Sequence, residues 1–249
     1  MKVDLNCDMG EGFGNDAELL SVVSSANIAC GFHAGDPETM RRTAEIAVEK
    51  GVAIGAHPGY PDRENFGRIE MSLSAREISD LITEQIGIMR DVAVAAGGAL
   101  NHVKPHGALY NQAARDHELA AAIAEAVAAF DPQLVLFGLS GSVSITEAHR
   151  LGLRAASEVF ADRTYRNDGS LTPRTDPNAL ISHEQRSIVQ AMQMVRDQAV
   201  TATDGTLVKV TAETICLHGD GENALRFANV IRTTLERNGV RVRCISHGS

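Results

Sequence analysis

The chain has 249 residues, and 23 Lys and Arg stand against 32 Asp and Glu for a formal net charge of −9. With 44% apolar and 22% charged residues it is globular rather than disordered, and a chain this long buries roughly 70–75% of its unfolded surface, so it needs no disulfide or structural metal to fold. The acidic balance argues against nucleic acid, whose binders carry a basic footprint. No run of about 18 uncharged apolar residues marks a membrane span, and Asp4 stands where a signal peptide needs an apolar stretch, so the expected compartment is the cytoplasm.

Short β-branched runs alternate with longer helical patterns. Strands are expected over residues 3–6, 27–30, 52–56, 100–104, 134–138, 155–160, 214–217 and 240–245. Asp36 caps and Pro37 opens a helix that stops at Gly51. Ser74 and Glu77 form a capping box for a helix running toward Gly97. Residues 113–129 are alanine-rich because they are helical. Ser182 and Gln185 open another helix, and a last one over 222–237 ends at Asn238 and Gly239. Residues 203–206, Thr-Asp-Gly-Thr, read as a hairpin turn inserted before the seventh strand.

Such alternation favours one domain over residues 1–249 with a mainly parallel sheet, open or closed into a (β/α) barrel. The connections sharpen this. Links from helix to strand are tight, whereas links from strand to helix (8–16, 57–71, 104–110 and 162–182) are long and polar. Barrels carry function on the loops after strand C-termini, and that is where the ionisable residues collect. Asp4, Asn6 and Asp8; His102, Lys104 and His106; Glu158 and Asp162; and His218 and Asp220 each obey the two-residue parity of one strand face. Val3, Leu5, Val103, Val159 and Leu217 take the apolar opposite face. Four polar rows converging on one rim are costly to bury without a task.

Mixed His and carboxylate residues suit a divalent metal. His102 and His106 are about 13 Å apart on an extended strand, too far for one ion, while a set from different strands, such as Asp8, His33 and His57, remains open. The glycines at 10, 12 and 14 lack the endings of a phosphate-binding loop and read as a tight turn at the rim, carrying Glu11. Lys104 and Arg163 are cations among acids, either structural ion pairs or anion-recognising groups. The segment 163–181 is either a lid or a surface excursion. Cys7, Cys30, Cys216 and Cys244 form no Cys-x-x-Cys and are expected as buried apolar filler.

With these residues in view, the sequence resembles the LamB/YcsF family, which supplies the A component of prokaryotic ATP-dependent 5-oxoprolinase. The matching segments are residues 4–14, 26–36, 55–62, 103–110, 157–163 and 216–220, with Gly59 where Ser is more usual. The resemblance implies a seven-stranded α/β barrel of the glycoside hydrolase/deacetylase type. It implies hydrolytic opening of 5-oxoproline (pyroglutamate) to glutamate coupled to ATP cleavage, with B and C subunits as partners. ATP would serve the assembled complex and not be held by the glycine-rich turn. On this reading the catalytic set is Asp8, His57, Lys104, Glu158, Asp162 and His218, and the substrate-binding set Asn6, Glu11, His33, His106, Arg163 and Asp220. The alternatives are a self-sufficient metal-dependent amidohydrolase or deacetylase, and a non-catalytic lactam-binding protein.

Overall fold

The computed structural model describes residues 1–217 and 224–245. Six strands follow in order: β1 (Lys2–Met9), β2 (Ser25–Ala29), β3 (Ala53–His57), β4 (Leu100–Val103), β5 (Val135–Leu139) and β6 (Arg154–Phe160). A small antiparallel hairpin, β7 (Ala199–Thr201) and β8 (Leu207–Lys209), precedes β9 (Thr214–Leu217). Neighbours β1 to β6 pair in parallel, β6 pairs with β9, and β9 returns to β1 through Asp4↔Thr214, Leu5↔Ile215, Asn6↔Cys216 and Cys7↔Leu217. The seven-stranded ring is therefore closed, in agreement with the barrel expected from the sequence. The eighth expected strand shrinks to β10 (Arg241–Val242), which pairs with Lys2 and Val3 outside that ring.

The helices are α1 (Asp16–Leu19), α2 (Pro37–Lys50), α3 (Ala75–Ala95), α4 (Gly107–Ala113), α5 (His117–Phe130), α6 (Val143–Arg150), α7 (Glu184–Asp197) and α8 (Ala224–Arg237). Punctuation read from the sequence is realised at α2, where the Asp36 carboxylate accepts from Glu38 and Thr39 N–H and Gly51 turns left-handed. It is realised again at α3, where Ser74 and Glu77 make both bonds of the capping box. Three expectations change. The alanine-rich stretch is not one helix: it breaks after Ala113, and Asp116 caps α5 by accepting from Glu118 and Leu119 N–H. Helix α7 starts behind His183, with no side-chain cap from Ser182. The link 104–110 is partly helical, because α4 begins at Gly107. Among the described residues no helix is long and apolar enough to cross a membrane.

Two cores result from the strand parity. Outward residues such as Leu5, Ile28, Ile54, Val103, Leu136 and Val159 join the helices in one large apolar cluster. α3 contributes Ile78, Leu81, Ile82, Ile86 and Met89, spaced so that one helical stripe faces the barrel. Inside the ring, Val135, Phe137 and Ala156 form a separate small cluster. The His102 ring stacks on Phe137 with centroids 4.2 Å apart, and its Nε2–H donates to Asn27 Oδ1 at 2.8 Å. Space for that ring comes from Gly55, since a Cβ there would lie 2.1 Å from His102 Nε2. Gly55→Ala should therefore expel His102 from its stack and cost about 1–3 kcal/mol, as overpacking of a filled interior does; urea denaturation checks this, and an unchanged midpoint would refute it.

Full burial pushes the His102 imidazole down to about 3 from an ordinary 6.5. Below pH 6.5 the unfolded chain gains a proton at this position that the folded chain refuses until about pH 3. Its contribution to stability is therefore complete above pH 6.5 and is lost as the pH falls through that window. Stability should decline more steeply in the parent than in His102→Gln, by an extra slope that rises toward about 1.4 kcal/mol per pH unit once the pH is well below 6.5. Equal slopes of unfolding free energy against pH, measured over about pH 7 to pH 5, would contradict it.

Candidate functional site

The lumen is polar and arranged in tiers from the N-terminal to the C-terminal end of the strands. Lowest is Asp4, which accepts from Ser24, Ser25 and Thr214 hydroxyls at 2.7, 2.7 and 2.6 Å. Burial raises its carboxyl above the usual range, against those three bonds. Above it, the Asn6 amide donates to Glu158 Oε1 and Thr214 Oγ1 at 2.9 and 2.6 Å. The Asn27 amide donates to Asn6 Oδ1 and Asp8 Oδ1, both at 2.8 Å.

The next tier is ionic. Lys104 Nζ lies 2.9 Å from Asp8 Oδ1, 3.0 Å from Glu158 Oε1 and 3.0 Å from Cys216 Sγ, with the Phe160 ring 5.4 Å away. Burial works against the ammonium, yet the two carboxylates outweigh it and hold the Lys104 pKa well above its ordinary value. Lys104 is thus a fixed cation facing three strands. Cys216 departs from the expectation of apolar filler: it points into the lumen and accepts from Lys104, and burial raises its thiol pKa. Cys7 and Cys30 are buried as expected, whereas Cys244 is only half-buried. Tyr110, whose hydroxyl burial drives up beside Glu158, stands against Phe160 with ring centroids 5.8 Å apart.

At the mouth, three histidines from three loops or strand ends meet one glutamate. His57 closes β3, His33 follows β2, His106 caps α4 and Glu11 follows β1. One ligand atom from each lies within 4.8 Å of all the others. His57 Nδ1 faces the Lys104 carbonyl at 2.7 Å, and His106 Nε2 faces the Phe66 carbonyl at 2.9 Å. Their remaining nitrogens, His57 Nε2 and His106 Nδ1, are 3.0 Å apart. The His33 ring stacks on His106 with centroids 3.7 Å apart. Burial first, and then the neighbouring imidazoles, keep the His33 and His106 pKa values well below the ordinary range. Asp8 joins the two tiers, with Oδ2 3.5 Å from His57 Nε2.

Loops close over this centre. Phe66 adopts φ +57, uncommon for a bulky residue, and its ring meets both His33 and His106. Phe13, half exposed in the glycine-rich turn, covers Phe66 with centroids 6.0 Å apart. That turn runs through Gly10, Gly12 and Gly14 at φ +69, +94 and +79, which fits the tight-turn reading of its glycines. Gly59 has a spatial reason of its own, because a Cβ there would stand 2.7 Å from His33 Nδ1.

Of the residues singled out from the sequence, Asn6, Asp8, Glu11, His33, His57, Lys104, His106 and Glu158 come together. Asp162 lies just beyond β6, half-buried. Arg163 is buried, but Nε donates to the Ala179 carbonyl at 3.3 Å and Nη2 to the Thr172 carbonyl at 2.6 Å, fastening the 163–181 excursion at its base. His218 and Asp220 lie outside the described residues. The strand-based metal trio gains Glu11 and His106, and Asp8 moves to its edge. Asn27, Thr214, Cys216, Tyr110 and Phe66 were missed. Parity along strands 27–30 and 214–217 was the available signal for the first three. A cleft of about 620 Å³ opens at the other end of the barrel, beside Lys2, Arg154, Glu213 and Arg243, away from these groups.

The fold and sequence have known counterparts. A family 4 carbohydrate esterase from Streptomyces lividans shares the fold, with a TM-score of 0.54 at 13% identity over 100% of this chain and 94% of that one. The lactam utilization protein of Thermus thermophilus superposes with a TM-score of 0.91 at 46% identity, covering 98% of this chain and 100% of that one. The A component of the 5-oxoprolinase of Geobacillus kaustophilus (strain HTA426) is 54% identical over 245 residues, 97% of this chain and 96% of the relative. Residues 3–249 match the LamB/YcsF family, and this chain belongs to it.

Proposed function

We propose that this chain opens the lactam ring of 5-oxoproline to give glutamate, as the A component of a cytoplasmic, ATP-dependent 5-oxoprolinase completed by B and C subunits. The carrying observation is a Lys104 ammonium held between Asp8 and Glu158 at the C-terminal end of the barrel, in a chain 54% identical to the A component of a 5-oxoprolinase. An unstrained lactam is a poor electrophile. Transfer of a phosphoryl group from ATP, by the partner subunits, to the lactam oxygen makes the ring carbon open to water. The ring C–N bond then breaks as its nitrogen takes a proton and leaves as the amine, and a second water releases phosphate from the resulting acyl phosphate. Overall, 5-oxoproline, ATP and two waters become glutamate, ADP and phosphate.

Asp8 is the base that takes a proton from the attacking water, because among the described residues it is the carboxylate shared between the cation and the imidazole cluster. Lys104 stabilises charge on the lactam oxygen or its phosphate. Glu158 and Asn6 hold Lys104 and Asp8 in register. Glu11, His33, His57 and His106 line the mouth where the ring would sit, and Asp162 and Arg163 border it at the end of β6. Lys104 is buried in this conformation, so entry of substrate requires the turn bearing Glu11 and Phe13 to move aside. The four-residue His and Glu cluster favours one second reading, a metal-dependent amide hydrolase acting alone. Glutamate formation by this chain without ATP or partners, abolished by a chelator, would select it.

Asp8→Asn keeps the shape of the side chain and removes the base. In a complex reconstituted with B and C subunits it should lower kcat for glutamate formation about 10²–10⁴-fold while the chain stays folded. Turnover close to that of the parent would exclude Asp8 as the base. Lys104→Met leaves two buried carboxylates without their cation and should cost about 3–5 kcal/mol of stability along with activity. Calorimetry and urea unfolding read this directly, and a stable, active variant would overturn both assignments of Lys104.

A further inference from the structure

We propose that Glu11, His33, His57 and His106 form a site for one divalent transition-metal ion of the zinc class. The argument starts from hydrogen positions. A carbonyl oxygen can only accept, so the Lys104 carbonyl fixes the proton of His57 on Nδ1 and the Phe66 carbonyl fixes that of His106 on Nε2. In the neutral rings the lone pairs then sit on His57 Nε2 and His106 Nδ1, which face one another across 3.0 Å. Glu11 Oε1 adds a third acceptor, 3.4 Å from His106 Nδ1 and 4.0 Å from His57 Nε2. His33 Nε2 lies 3.4 Å from the same oxygen. Among the described residues neither ring nitrogen of this buried histidine makes a hydrogen bond. The lone pairs of His57 and His106 meet without a hydrogen between them, and a cation reconciles these two rings with His33 and the Glu11 carboxylate at once.

The spacing fits such an ion. Zinc bonds of about 2.0–2.1 Å place tetrahedral ligand atoms roughly 3.3 Å apart; four of the six separations here are 3.0, 3.4, 3.4 and 4.0 Å, and every pair lies within 4.8 Å. Three imidazoles and one carboxylate, without thiolate, suit Zn²⁺ or Co²⁺ better than Ca²⁺, Mg²⁺ or Cu⁺. The outer supports are in place, since the carbonyls of Lys104 and Phe66 orient two of the rings from behind. A bound ion supplies Lewis acidity beside Asp8, whose Oδ2 is 3.5 Å from His57 Nε2. A proton bridging His57 and His106 is the competing resolution, and it leaves His33 without a role.

The test uses the untagged full-length chain stripped with a chelator and titrated with Co²⁺, followed by calorimetry and visible absorption. One equivalent should bind, give the intense bands of tetrahedral Co²⁺ and be displaced by Zn²⁺. His57→Ala and His106→Ala should each weaken Co²⁺ binding about 100-fold or more, whereas His117→Ala, on the outer face of α5, should not. If the barrel variants fail to fold, Glu11→Gln in the glycine-rich turn, outside the strands, should still weaken binding at least about 10-fold. No saturable binding, or binding unchanged by Glu11→Gln, overturns the site. Binding is read without substrate, so a metal centre in a protein inactive on 5-oxoproline would sink the oxoprolinase reading alone.

Discussion

The barrel is organised around the neutralisation of one buried cation. Lys104 enters from the end of β4, Asp8 from β1 and Glu158 from β6, strands that are not neighbours in the ring. Moving an ammonium and two carboxylates out of water costs several kcal/mol per ion, and their mutual attraction offsets this only when geometry and supporting hydrogen bonds are good. Here Asn6 and Asn27 supply those bonds, each bridging two members of the lumen. A one-residue slip of β1 would turn Asp8 outward into the apolar layer between barrel and helices. The triad therefore fixes strand register as well as charge.

Much of this was legible because a strand face repeats every two residues. Rows at 4, 6 and 8 and at 102 and 104 announced a polar lumen, and the apolar partners at 3, 5, 103 and 159 announced the outer core. Parity failed where the residue type carried no charge. Asn27, Thr214 and Cys216 share the lumen, yet an amide, a hydroxyl and a thiol read as ordinary strand residues until the ring closes on Lys104. Gly55 carried no local signal either, since its reason is the His102 ring on the adjacent strand. The mouth was less readable still. Glu11, His33 and Phe66 belong to loops, where no period applies and only closure of the barrel brings them together.

Arg163 shows what chain proximity alone leaves out. A cation next to Asp162 at a strand end looks like an anion receptor in the sequence. In the structure two of its N–H groups are committed to carbonyls of the 163–181 segment, which also bonds through Thr164 and Thr172. An arginine that holds backbone carbonyls stabilises a long excursion lacking helix or strand of its own, and burial accordingly lowers its pKa to about 10. Chain proximity identified a neighbour; only the fold identified the partners.

His102 and His106 make the same point about what a barrel does with identical side chains. They lie four residues apart, on either side of Lys104. His102, deep in the ring, stacks on Phe137 and donates its Nε2–H to Asn27 Oδ1, so it fills space and closes a hydrogen-bond chain. His106 is just past the strand, where the Phe66 carbonyl fixes its tautomer and turns its other nitrogen toward His57. Depth decides the difference: below Lys104 the Asn6 and Asn27 amides and the Ser24, Ser25 and Thr214 hydroxyls match the acceptors they meet, while above it the lone pairs of His57 and His106 face one another. That change from a satisfied to an unsatisfied lumen occurs at Asp8, the carboxylate common to both tiers. It is what separates the part of the barrel that holds itself together from the part that holds something else.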